Sequence, residues 1–102
     1  MIKNNTILET TRTKNILRYL NGLPGFFAVK RHQAGANRKG DPDISGCVSG
    51  GRRLELEVKQ PSGKLTILQE ARLAEWERAG AFTGVVHDVA DTETLLKEWG
   101  VL

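Results

Sequence analysis

The chain has 102 residues, 39% of them hydrophobic and 26% charged, and a single cysteine, Cys47. That length suits one domain with one core. The composition is ordinary for a globular protein, a lone cysteine excludes an intrachain disulfide and fits a reducing compartment, and no apolar run approaches the roughly 20 residues of a membrane span. Net charge is only +3, but residues 1–40 hold eight Lys or Arg against one acid, Glu9, whereas residues 41–102 carry a net −4; such a basic front half attracts polyanions without saying which.

The first predicted element is a helix over residues 6–20. Thr6 and Glu9 stand at capping-box spacing. Glu9, Thr13, Ile16 and Leu20 fall on one helical face, and the Asn21-Gly22-Leu23-Pro24-Gly25 run ends the helix and turns the chain. Phe26–His32 reads as a strand, Gln33–Gly40 as a loop, and Ile44–Val48 as a second, short strand. Ser49-Gly50-Gly51 is a tight-turn signal. In Arg53–Lys59, alternation sends Leu54, Leu56 and Val58 to one face and Glu55, Glu57 and Lys59 to the other. Pro61-Ser62-Gly63 breaks that strand. A second helix is expected over Thr66–Ala79, with Gln69, Leu73, Trp76 and Gly80 sharing a face, and Gly80 stops it before a fourth strand, Phe82–His87. Asp91 or Thr92 caps a last helix that carries Leu95, Leu96 and Trp99 and closes at Gly100. The order α-β-β-β-α-β-α predicts an α/β fold, a mixed sheet flanked by helices. Trp76 and Trp99, at helical spacing, read as core residues.

The chemistry lies in Gly40-Asp41-Pro42-Asp43-Ile44 and, thirteen intervening residues after Asp43, Glu57-Val58-Lys59. Glu57 and Lys59 lie on the same side of one strand, about 7 Å apart along the backbone. The Gly50-Gly51 turn folds the Asp43 strand back beside them, so Asp43 can approach Glu57 across the hairpin. Two converging carboxylates make a hard-oxygen site suited to Mg²⁺ or Mn²⁺. A neighbouring lysine can orient water or offset charge on a phosphate. An exposed strand face with alternating charges would give the same letters with no site at all.

Together with Gly63-Lys64-Leu65, Gln69, Trp76-Glu77-Arg78-Ala79-Gly80 and the Val85-Val86 strand, these stretches resemble the PD-(D/E)xK nuclease superfamily. They resemble more closely its virus-type replication-repair nuclease (VRR-NUC) domain, over nearly the whole chain, residues 1–102, as one domain. The resemblance implies a restriction-endonuclease-like fold and a Mg²⁺- or Mn²⁺-dependent DNA endonuclease. It implies Asp43, Glu57 and the Val58 backbone carbonyl as metal ligands, Lys59 as catalytic lysine, Gln69 near the site from the second helix, and Glu9 completing the metal shell from the first. Two of these have local competitors, since Gln69 stands at capping-box spacing from Thr66 and Glu9 from Thr6. Asp41 precedes the proline and is expected to point away.

Other chemistries find no support. His32 and His87 are isolated, Cys47 has no companion for a zinc site, and no Gly-rich phosphate loop implies a nucleotide cofactor. Lys30, Arg31, Arg38 and Lys39, just ahead of the Pro-Asp motif, are expected to contact the DNA backbone, with Arg52 and Arg53 as weaker candidates. Such contacts position a duplex without reading it. Lacking an appended recognition module, the chain is expected to select DNA by shape. By resemblance to small viral and prophage proteins, it would act as a homodimer on branched DNA such as four-way (Holliday) junctions, in the cytoplasm of a bacterial host. A non-catalytic nucleic-acid-binding or assembly module on the same fold, and a sequence-specific restriction-type nuclease, are the rival readings.

Overall fold

The computed structural model describes residues 7–32 and 38–102. The elements are α1 (Glu9–Asn21), β1 (Phe27–Lys30), β2 (Ile44–Cys47), β3 (Arg53–Val58), α2 (Ile67–Arg78), β4 (Phe82–Val86) and α3 (Val89–Glu98). They form one four-stranded sheet in the order β1-β2-β3-β4. The first three strands are antiparallel neighbours, and β3 pairs with β4 in parallel through the α2 crossover. This is the expected α-β-β-β-α-β-α order with a mixed sheet, the restriction-endonuclease-like topology.

Several element ends differ from those expected. Helix α1 starts at Glu9, with Leu8 as an N-cap that makes no side-chain bond; Thr6 lies outside the described residues, as do residues 33–37 of the expected loop. Helix α3 begins earlier than expected, because Asp88 accepts the Asp91 amide and is the cap. The Asp91 carboxylate turns back to the His87 N–H and ring. Helices α2 and α3 both end as expected on a glycine with positive φ, Gly80 and Gly100. In each case the glycine N–H and the next one return to carbonyls of the last turn, the Schellman arrangement that an L side chain disfavours.

Alternation divides the sheet into two faces. Ala28, Ile44, Leu54, Leu56, Val58 and Val86 pack with Ile16 and Leu20 of α1 and Leu96 of α3 into one apolar cluster. The expected stripe of α1 is therefore buried at Thr13, Ile16 and Leu20, while Glu9 at its start stays exposed. Each large aliphatic side chain so buried contributes roughly 1.5–3 kcal/mol. Trp99 stacks on Phe82 with ring centroids 4.8 Å apart. Close strand packing explains Gly46, where a Cβ would run into the Phe27 carbonyl oxygen and stand 2.7 Å from the Ala28 Cα.

The opposite face is buried too, under α2, but with polar cargo: Ser45, Glu55 and Glu57 all lie out of solvent there. No α2 residue is fully buried, since the helix rests on charged groups rather than on an oily surface. Trp76 accordingly is half-buried in this polar layer and not in the apolar cluster.

Strand β1 is an edge, and its outer side is blocked from within the chain. The Asn21 amide donates to the Ala28 carbonyl and accepts the Ala28 N–H, both at 2.9 Å. A side chain thus copies one rung of a ladder and occupies a site where another strand would pair. Asn21→Ala is expected to lower stability by about 1–3 kcal/mol, the cost of leaving a buried donor and acceptor unmet. A shifted urea midpoint checks this; an unchanged midpoint would mean that water replaces the amide without loss. No helix among the described residues is long and apolar enough to cross a membrane.

Candidate metal centre

The antiparallel register pairs Ile44 with Leu56. That pair is the last of the ladder; continued past it, the same register would set Asp43 against Glu57 and Pro42 against Val58. Proline has no N–H to offer the Val58 carbonyl, so β2 supplies no rung there. The Val58 N–H is taken instead by the Asp43 side chain, with Oδ2 accepting at 2.9 Å. This bond turns the Asp43 carboxylate over the end of β3 and within hydrogen-bonding reach of Glu57.

Glu57 is 3% exposed. Its Oε2 accepts from Gln69 Nε2 at 3.2 Å and lies 3.7 Å from the Lys59 ammonium. Gln69 makes the capping bonds and a contact to Glu57 at once. Its Oε1 accepts the Thr66 N–H and its own N–H binds Thr66 Oγ1, the two halves of a capping box, while the remaining Nε2 reaches the acid. Capping fixes the rotamer that delivers the amide to Glu57.

Burial pushes the Glu57 carboxyl up to about 8, aided by the charge and hydrogen bond of Asp43 and, least, by Glu9, against the pull of Lys59. Two carboxylates this close oppose each other's ionisation, a cost that a cation between them would relieve. The donor set therefore fits a hard divalent ion: two acidic oxygens ligands, a backbone carbonyl at the strand end, and a charge conflict that a cation would relieve. Among the described residues no three His, Cys, Asp or Glu gather as a metal cluster. Glu9 is near enough to be felt by Glu57, but is exposed. Two carboxylates with water filling the rest is a common Mg²⁺ shell.

The basic residues ahead of the motif divide into two pairs. Lys30 and Lys39 are exposed. Arg31 and Arg38 are both bonded to acids, Arg31 largely out of solvent and Arg38 still exposed. Arg31 makes two bonds to Glu55, at 2.7 and 3.2 Å, and Arg38 two to Asp41, at 2.7 and 3.1 Å, with a further bond to Glu75. Asp41 is held away from the carboxylate pair and also accepts from Trp76 Nε1. Burial works against its charge, but the bonds from Arg38 and Trp76 outweigh it and hold the carboxyl below its usual range. Arg52 lies flat over the Phe82 ring and donates to the Gly80 carbonyl.

One residue of this layer carried no signal in the sequence. Glu55 is fully buried and accepts from Arg31, Arg53 and Ser45. Alternation places Glu55 and Glu57 on the same face with nothing to tell them apart. Only the arginines that reach the first and the aspartate that reaches the second separate their roles.

No protein-family model and no curated protein matches the sequence. The fold matches solved structures, among them two VRR_NUC domains. One, described as a VRR_NUC domain, is 22% identical, with a TM-score of 0.74 over 89% of this chain and 96% of that one. The other, a VRR_NUC domain protein, is 13% identical, with a TM-score of 0.73 over 91% of this chain and 88% of that one. A likeness that covers nearly the whole of both chains, with every strand and helix of the sheet in the same order as the nuclease-type topology above, makes the fold of this chain that of the VRR_NUC domain.

Proposed function

We propose that this protein is a metal-dependent DNA endonuclease that hydrolyses phosphodiester bonds. The observation that carries the reading is the meeting of half-buried Asp43 with buried Glu57, with Lys59 and Gln69 on that same glutamate. The VRR_NUC fold supports it. Asp43, Glu57 and the Val58 carbonyl would hold Mg²⁺ or Mn²⁺, with Glu9 reaching it through water. Bound there, the ion would supply a water of lowered pKa and positive charge for the phosphate oxygens. Gln69 keeps Glu57 turned toward Asp43. Lys59 places an ammonium beside the same carboxylate, where it can hold the attacking water or offset charge on the phosphate. Lys30 and Lys39 contact the DNA backbone.

Branched DNA, such as a four-way junction, is the proposed substrate, cut by a homodimer whose two-fold axis pairs the sites. A cleavage panel of duplex, single-strand, flap and junction DNA, with Mg²⁺, Mn²⁺ or chelator, tests both levels. Metal-dependent cutting concentrated at the junction is expected. Discrete cuts in linear duplex would favour a sequence-specific enzyme, and DNA binding with no cutting of any substrate would favour a non-catalytic module.

A further inference from the structure

We propose that Arg31, locked by the buried Glu55, is the positioning residue that aims the Asp43 carboxylate at Glu57. Asp43 precedes the first residue of β2, so the regular ladder does not by itself set its direction. Arg31 does so from just beyond the end of β1. Its backbone N–H donates to the Asp43 carbonyl at 2.7 Å, and its Nη1 to the Pro42 carbonyl at 2.6 Å. These carbonyls belong to the two peptide units that flank the Asp43 Cα. Fixing both planes fixes φ and ψ between them, and with them the direction of the Asp43 Cα–Cβ bond.

The guanidinium is itself immobilised. Nη1 and Nη2 bind the two Glu55 oxygens, and Glu55 Oε2 also accepts from Ser45 Oγ and Arg53 Nε, at 2.7 and 2.8 Å. The Arg31 side chain is only 10% exposed and that of Glu55 is 0%. The planar two-pronged donor is what the task needs: it grips an acid on one side and a carbonyl on the other, which a lysine ammonium cannot reproduce with the same rigidity. An arginine so enclosed is poorly placed to meet a phosphate.

The inference rests on the reading that Asp43 and Glu57 hold a divalent ion, and the test separates the two. Mn²⁺ affinity is measured by calorimetry on the full chain, and DNA affinity by anisotropy in chelator, for wild type, the double variant Arg31→Met/Glu55→Gln, and Glu55→Gln alone. The double variant removes both charges, so that no buried ion is stranded; the single one keeps hydrogen-bonding capacity if the double fails to fold. Asn21→Ala, which touches neither Arg31 nor Glu55 through its hydrogen bonds, serves as a control for lost stability. Weakening of Mn²⁺ binding by about 10- to 100-fold in the double variant, and less in the single, is expected, with DNA affinity and the control's Mn²⁺ affinity close to wild type. Unchanged Mn²⁺ affinity in the folded variants overturns the proposal, as does a loss of DNA affinity alone, which would make Arg31 a DNA contact. A wild-type protein that binds no Mn²⁺ overturns the metal reading itself.

Discussion

Lys59→Ala is expected to cut DNA about 10²- to 10³-fold more slowly than wild type, the usual loss when one group stabilising a charged transition state is removed. Glu57→Ala removes an oxygen of the proposed metal site and is expected to show no metal-dependent cutting. Both proteins should still bind DNA in chelator. Lys59 is 13% exposed and faces Glu57, so it adds little to the field that draws in a polyanion, and in chelator at neutral pH Glu57 holds its proton, so deleting it leaves that field unchanged. Lys39→Ala makes the opposite prediction. This exposed lysine should leave the chemical step intact and reduce the salt dependence of binding by about one counterion. Single-turnover cleavage and anisotropy titrations at two salt concentrations measure all three. Undiminished cutting by Lys59→Ala or Glu57→Ala would remove the proposed mechanism.

The fold was readable because its signals are periodic. Leu54, Leu56 and Val58 alternate, Gly50 and Gly51 mark the turn with φ near +95°, and Gly80 and Gly100 punctuate the helices. What escaped is non-local. Asp88 and Asp91 are equally good caps by residue type, and only the His87 ring, which binds Asp91 from the previous strand's end, separates them. Helix α2 has no strong apolar stripe because it covers ion pairs rather than aliphatic side chains.

The candidate site shows the same division. That Asp43 and Glu57 come to neighbouring positions follows from strand parity and hairpin register, which are local, whereas the aim of the carboxylate does not. Nor does the inward turn of Arg31, because the side chain that receives it, Glu55 on β3, is distant in sequence; Arg38 stays exposed and is held both by nearby Asp41 and by distant Glu75 on α2. A basic run read alone looks like a phosphate surface. Whether an arginine faces solvent or an acid is settled by the partner's position in the fold.

The carboxylate pair also makes a prediction that needs no DNA. In chelator, Glu57 keeps its proton up to about pH 8 in the folded protein, whereas in the unfolded chain it loses it near the ordinary value of roughly 4.3. Between those limits the folded state binds more protons than the unfolded state, so stability must fall as pH rises, by at most about 1.4 kcal/mol per unit. The contribution is fully present below the unfolded pKa and lost as pH passes the folded one. A divalent ion competes for the same oxygens. Mg²⁺ or Mn²⁺ should therefore raise the melting temperature more at pH 8 than at pH 5, as a ligand bound only by the native state does. In Glu57→Gln the amide cannot titrate. Its metal-free melting temperature should exceed that of wild type at pH 8, vary less with pH, and respond little to metal. Other groups titrate in this range, but they are common to both proteins and drop out of the difference. A wild-type melting temperature that rises from pH 5 to pH 8 in chelator in parallel with that of Glu57→Gln would show that Asp43 and Glu57 do not share a proton, and without that crowding the case for a cation between them fails.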